Sequence, residues 1–257
     1  MTHETVLCLM AHPDDPEIWS GGTLALLAQA GWHVVTATMT PGQAGSTELN
    51  AIEISAIRRD EAAAAAAVIG AQYHCLEAED VFITYDKPTL LKVIRLFRTV
   101  RPTLVITASP DDYMLDHEIT SHLAQTACMA ACIPNIETPG LTPTNQVPHL
   151  YYADAAHGKD RYGNEIVGTT MVDISSVINI KSEMVACHQT QRNWLRTISG
   201  VDEFIESMLS FSERNGKYIN KKYAEGYRQH LGFSYPSNNL LADVLKTYVH
   251  TVNISQQ

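Results

Sequence analysis

Val6-Leu7-Cys8-Leu9-Met10 is an unbroken apolar run with no alternation of polar positions. Runs of this kind, bounded by turn residues, mark strands covered on both faces, as in a parallel sheet. The run ends in the polar turn His12-Pro13-Asp14-Asp15-Pro16. Beyond it the pattern predicts a helix over Gly21 to Gly31, a strand over Val34 to Thr40 and a helix over Ile52 to Ile69. A short strand near His74 to Leu76, a helix over Thr89 to Val100, a strand over Leu104 to Ala108 and a helix over Asp116 to Cys132 continue the series. Strict alternation of strand and helix builds a doubly wound α/β fold around a mostly parallel sheet.

Past Pro134 the texture changes, because Pro139, Pro143 and Pro148 interrupt any regular pattern until the strand-like His149 to Ala153. The remainder predicts a strand around Met171 to Ile174 and helices near Ser175 to His188, Asp202 to Asn215 and Lys222 to His230. A length of 257 residues allows one large domain or two small ones. With no repeat, low-complexity tract or clear linker, residues 1–257 read as one domain with an elaborated C-terminal third.

Composition narrows the function classes. Apolar residues at 45% against 18% charged can bury a sizeable core. The formal charge of -10, from 18 Lys and Arg against 28 Asp and Glu, gives a nucleic acid no electrostatic reason to bind. The five cysteines are odd in number and scattered, so reduced thiols are expected rather than a zinc ribbon or redox dithiol. No segment approaches the roughly 20 apolar residues of a membrane span, and no secretory leader is evident, which makes the cytoplasm the expected location.

In an open parallel sheet, ligands bind beyond the carboxyl ends of the strands, where the winding reverses. After the first predicted strand come His12, Asp14, Asp15 and Glu17; after the fourth come Asp111, Asp112, Asp116 and His117. If those strands are neighbours, the two turns face each other across one crevice. His12, Asp15 and His117 would then supply the two imidazoles and one carboxylate of a catalytic zinc site with an open position. Asp14, adjacent to Asp15 but pointing elsewhere, is the candidate base for the water at that position. Alone, two carboxylates beside a histidine are most often a solvated turn; the position at a buried strand end and the second Asp/His pair favour the site. His117-Glu118 and His122 do not form a zincin helix, because a spacing of five places the imidazoles on different faces.

Ala11-His12-Pro13-Asp14-Asp15-Pro16-Glu17, followed by Gly21-Gly22-Thr23-Leu24-Ala25, resembles the signature of the PIG-L/LmbE-like zinc-dependent de-N-acetylases. Thr40-x-Gly42-x-x-Gly45, Arg58-x-x-Glu61, Pro110-x-Asp112 with Asp116-His117, Lys181 with His188-x-x-Gln191, and Ala224-Glu225-Gly226-Tyr227 are similar to further motifs of that family. The resemblance implies a Rossmann-like three-layer sandwich and one zinc ion per chain on His12, Asp15 and His117, with Asp14 as general base. It also implies that Arg58 and Asp112 bind substrate and that His188 reaches the pocket as a catalytic group. Plainer roles for these three are an Arg58 to Glu61 ion pair, a capping carboxylate and a surface histidine. The implied substrate is a small N-acetylated amino sugar of the N-acetylglucosamine type, or its conjugate; whether the chain forms a homo-oligomer is left open.

Two departures stand out. The family turn usually reads Asp-x-His-Pro-Asp-His, its first histidine helping to stabilise or protonate the tetrahedral intermediate, whereas this chain has Asp112-Tyr113-Met114-Leu115-Asp116-His117. A thioether does no acid-base work, which leaves His188 and Tyr113 as replacements. Gln43 stands where the family often has Glu, removing a charge near the pocket. Two other functions therefore compete with the deacetylase: a carbohydrate-binding relative with weak or no turnover, and a zinc amidase for a different amide. Asp14 argues against the binding protein, which needs no base.

Overall fold

A computed structural model describes residues 4–193 and 203–253. The strands are β1 (Thr5–Met10), β2 (His33–Thr38), β3 (Gln72–Cys75), β4 (Leu104–Thr107), β5 (His149–Ala153), β6 (Thr170–Asp173), β7 (Ala224–Gln229) and β8 (Val249–Thr251). The helices are α1 (Asp15–Gln29), α2 (Ala51–Ala67), α3 (Lys87–Val100), α4 (Leu115–Ala130), α5 (Ile178–Ala186), α6 (Glu203–Lys217) and α7 (Leu240–Leu245). The eight strands form one sheet in the order β3-β2-β1-β4-β5-β7-β6-β8. From β3 to β5 every pairing is parallel; β7, β6 and β8 add antiparallel pairings at the far side.

Every residue of β1 is buried, as its unbroken apolar run requires. Because successive side chains of a strand point to opposite faces, Val6, Cys8 and Met10 join a core with Leu24, Leu27 and Tyr227. Leu7 and Leu9 join another with Val35, Phe97 and Leu123. Helices therefore cover both faces, giving the mostly parallel three-layer arrangement that the alternation of elements implied. No helix among the described residues is long and apolar enough to cross a membrane.

Two elements differ from the sequence pattern. α1 begins at Asp15 rather than near Gly21, with Pro16 in its first turn and Asp15 and Glu17 complementing the helix N-terminus. Gly21 and Gly22 lie inside this helix because neighbours press on it: a Cβ on Gly22 would meet Ile174 at 2.6 Å. The helix predicted over Lys222 to His230 is instead β7, which hydrogen-bonds to β5 and β6 on its two sides. Its Gly226 passes so close to Asp154 that a Cβ would lie 2.6 Å from that carboxylate. The helix expected over Asp202 to Asn215 is α6, with Asp202 itself outside the described residues.

Glu225, on β7, ties the strand to α1. Its carboxylate accepts the N–H groups of Gly22 at 2.8 Å and Thr23 at 2.7 Å, the ammonium of Lys181 at 2.8 Å and the Tyr227 hydroxyl at 3.1 Å. Lys181 and Glu225 are almost fully buried, and removing one partner of such a pair leaves an uncompensated charge that costs about 3 to 5 kcal/mol. Lys181→Met should lower the urea midpoint accordingly. Adding Glu225→Gln to that variant should recover part of the loss, because the stranded charge is gone.

Candidate active site

β1 and β4 are adjacent and parallel, with Leu9 opposite Thr107, so the turns at their carboxyl ends share one crevice. In the first turn the Asp15 N–H donates to the His12 carbonyl at 3.2 Å, and the His12 N–H donates back to Asp15 Oδ2 at 2.8 Å. This closed turn aims the His12 ring and the Asp15 carboxylate at the same point. From the second turn, the first turn of α4 delivers His117 to that point.

His12 Nδ1 lies 3.3 Å and His117 Nε2 lies 3.4 Å from Asp15 Oδ2. Metal–ligand distances of about 2.0 to 2.1 Å place the corners of a tetrahedron about 3.3 Å apart, so this spacing fits three ligands of one small divalent cation. His117 Nε2 is buried and makes no hydrogen bond. A ring nitrogen stranded in this way is itself a sign of a missing partner.

The other nitrogens of both rings face carboxylates. His12 Nε2 is 3.2 Å from Asp80 and 3.6 Å from Asp116, and His117 Nδ1 is 3.3 Å from Asp112. Such partners hold the N–H on the outward nitrogen and leave the inward lone pair for a metal. These carboxylates are held in turn: Asp80 accepts the Ala44 N–H, Asp116 the Val81 N–H, and Asp112 those of Met114 and Ala156. Burial opposes protonation of His117, but Asp15 and Asp112 outweigh it and push the imidazole up to about 9. His12 is likewise opposed by burial yet raised well above its usual value by Asp116, Asp15 and Asp80. Asp15 runs the other way: burial would raise it, and His117 and His12 hold it well below the usual carboxylate range.

Asp14, His12, Asp15 and His117 line a cavity of about 460 Å³ together with Arg58 and Asp80. The Arg58 guanidinium donates to Asp14 Oδ1 at 3.2 Å and to the Gly42 carbonyl at 3.2 Å. Arg58 therefore fixes the orientation of Asp14 and does not pair with Glu61, whose carboxylate accepts the N–H and hydroxyl of Thr190. The glycine loop is shaped around this guanidinium: Cβ atoms on Gly42 and Gly45 would lie 2.5 Å and 2.7 Å from it.

Two of the sequence candidates sit elsewhere than expected. Asp112 is buried behind His117, where its contacts are with that ring and with backbone N–H groups rather than with the cavity. His188 is 1% exposed and is not among the described residues that line the cavity. Its Nε2 pairs with Glu17 at 3.1 Å, and although burial opposes this, Glu17 raises its pKa. Contact of His188 with a substrate has no support in this geometry. Met114 and Tyr113 do line the cavity, joined by Trp19, His157, Phe204 and Phe211. Asp80 and His157 were missed in the sequence, although both follow strand ends, β3 and β5, where the rule about carboxyl ends would have directed attention.

With this geometry in view, comparison with known proteins is decisive. Over 237 residues the chain is 30% identical to the diacetylchitobiose deacetylase of Thermococcus kodakarensis, covering 87% of this chain and 82% of the relative. Residues 7–128 match the PIG-L family, described as GlcNAc-PI de-N-acetylase. The chain belongs to the PIG-L family. Its description and that of the relative are those of amide hydrolases. Among solved PIG-L folds, the N,N'-diacetylchitobiose deacetylase from Pyrococcus horikoshii superposes with a TM-score of 0.75 at 25% identity, covering 89% of this chain and 84% of that one. The 4-carboxy-2-hydroxymuconate hydratase from Pseudomonas putida superposes with a TM-score of 0.74, also at 25% identity, covering 92% and 100%.

Because a metal needs the imidazoles neutral, protons compete with it for this PIG-L site. Zinc added to the metal-free protein near pH 7 should release protons, and its apparent affinity should climb as pH rises through about 9, where His117 loses its proton. Stability of the metal-free protein should move oppositely. The contribution of His117 is complete below its usual 6.5 and is lost as pH rises through about 9. Asp112→Ala should weaken zinc about 10- to 100-fold. Calorimetric titration at several pH values measures both the proton release and this loss.

Proposed function

We propose that this chain is a zinc-dependent hydrolase that removes the acetyl group from an N-acetylated amino sugar of the N-acetylglucosamine type, or from its conjugate. The observation that carries the reading is the buried Asp14 carboxylate, oriented by Arg58 on the cavity wall beside His12, Asp15 and His117. One zinc ion per chain, held by those three side chains, would lower the pKa of water and polarise the acetyl carbonyl. Asp14 takes the proton from the attacking water, and its bond to Arg58 keeps it facing the cavity. His12 and His117 are held in place by Asp80, Asp116 and Asp112. The aromatic walls, Trp19 and Phe211 with ring centroids 5.4 Å apart, give the apolar face of a sugar ring a surface to lie on.

A second reading, hydration of a carbon–carbon double bond, is favoured by two observations. Met114 stands in the turn where deacetylases usually place a histidine, and the fold of a hydratase superposes over the whole of that chain. The cavity wall argues for the first reading. A carboxymuconate is a polyanion, and among the described lining residues the fixed cation is Arg58, already bound to Asp14 and Gly42.

Elemental analysis should find one zinc per chain, and amine release should appear across a panel of N-acetylglucosamine conjugates. Activity on an unsaturated polycarboxylate with none on that panel would reverse the order of the two readings. Asp14→Asn keeps the shape but not the basicity, so it should retain the zinc and lose about 100- to 10,000-fold in turnover number. Turnover within a few-fold of wild type would move the base elsewhere.

A further inference from the structure

Acetyl removal needs a second proton transfer, because the leaving amine is a poor leaving group until its nitrogen is protonated. In this chain the turn that usually carries an imidazole for such work offers Met114, and His188 lies off the cavity. His157 is the further imidazole on the wall, and it shares the wall with Met114 and His117.

The turn bearing His157 follows β5 and is fixed from several sides. The N–H of Ala156 donates to Asp112 Oδ2 at 2.9 Å, the same oxygen that lies 3.3 Å from His117 Nδ1. One carboxylate oxygen therefore sets the position of a metal-site imidazole and of the His157 turn together. Arg214 donates to the His157 carbonyl at 2.7 Å, approaching so closely that Gly158 has no room for a Cβ. His157 itself has φ +56°, in the left-handed region that few residues other than Gly, Asn and Asp adopt and that concentrates at functional sites. Its ring lies between Tyr113, with centroids 6.0 Å apart, and the edge-on ring of Phe211 at 5.2 Å. The ring is exposed, so it exchanges protons with solvent between turnovers.

We propose that His157 is the proton donor to the leaving amine, supplied by the turn after β5 in place of the histidine that related chains carry at the position of Met114. This rests on the deacetylase reading. Water adds to the acetyl carbon as Asp14 takes its proton; the carbon–nitrogen bond then breaks as the His157 imidazolium gives its proton to the nitrogen. The acetic acid so formed passes its proton to the amine, acetate and the ammonium leave, Asp14 loses its proton to solvent, and His157 regains one. Tyr113 faces the ring as a titratable neighbour, while Arg214 and Asp112 are the charged groups holding the turn.

His157→Asn is the informative variant, since Asn tolerates the left-handed backbone but cannot act as the acid. It should retain its zinc and its melting temperature, lose about 100- to 10,000-fold in kcat with KM within a few-fold, and lose the decline of kcat at high pH that deprotonation of an essential acid produces. Met114→His in the His157→Asn background should restore part of the loss. A variant that keeps its kcat and its high-pH decline, or that raises KM alone, overturns the proposal. A readout independent of turnover is the His157 imidazole resonance, identified by its disappearance in His157→Asn. Should that variant not fold, His157→Gly, which also accepts the left-handed backbone, supplies the assignment. Adding acetate to the zinc-loaded wild type should shift the resonance, and a resonance that acetate leaves unmoved overturns the proposal. Wild type without amine release on any N-acetyl substrate would refute the deacetylase reading instead, leaving the acetate titration to decide whether His157 faces the reacting group.

Discussion

Five carboxylates, those of Asp14, Asp15, Asp80, Asp112 and Asp116, converge on two imidazoles and one guanidinium in a single crevice. So much negative charge removed from water is sustainable only if positive charge is delivered to the same place. Arg58 delivers one unit permanently, to Asp14. The remainder comes from protons on His12 and His117 when no metal is bound, or from a cation that displaces those protons. The carboxylates that raise the two imidazoles thus also create the attraction for a dication, and the histidine protons offset part of the negative charge in its absence.

The fold serves this crevice by fixing two turns without making either rigid by itself. β1 and β4 pair side by side, so the distance between the turns is set by backbone hydrogen bonds in the middle of the sheet. Behind α1, whose first turn carries Asp15, the Glu225 carboxylate grips the N–H groups of Gly22 and Thr23 and is neutralised by Lys181. Two of the family motifs in the C-terminal third, Lys181 and Ala224-Glu225-Gly226-Tyr227, therefore act on the crevice from its back, by holding the helix that carries Asp15. Being far apart in sequence, they reveal this role only once β7 is seen to lie beside β5.

The sequence was most legible where one residue's chemistry and its position on a strand agreed. The apolar run of β1, the alternation that follows it and the polar turns after β1 and β4 led to the sheet, to the crevice and to His12, Asp14, Asp15 and His117. Less legible was whatever depended on a tertiary partner. Ala224–Gln229 carries no β-branched residue, and it is a strand because β5 and β6 supply backbone partners on both sides. His188 looked like a pocket residue because it is a histidine in a motif, yet the buried Glu17 claims it. Asp80 has no motif of its own, and only the approach of the turn after β3 to the crevice brings it to His12.

A PIG-L fold that superposes on both deacetylases and a hydratase poses a question of what separates two reactions that both add water. Each needs a base that takes a proton from water, and Asp14 fits either. Each also needs a proton on the far side of the reacting carbon, on a departing nitrogen in one case and on a neighbouring carbon in the other. The site around Asp15 therefore cannot distinguish them, and the opposite wall must. In this chain that wall is made of Trp19, Tyr113, His157, Phe204 and Phe211, with no acid at Met114. An aromatic wall solvates a neutral, hydroxyl-bearing ring far better than it solvates several carboxylates, which would face the crevice's own five carboxylates with Arg58 as the fixed cation among the described lining residues. The wall facing the substrate, and not the base that both reactions share, thus selects a neutral amide over a polyanion.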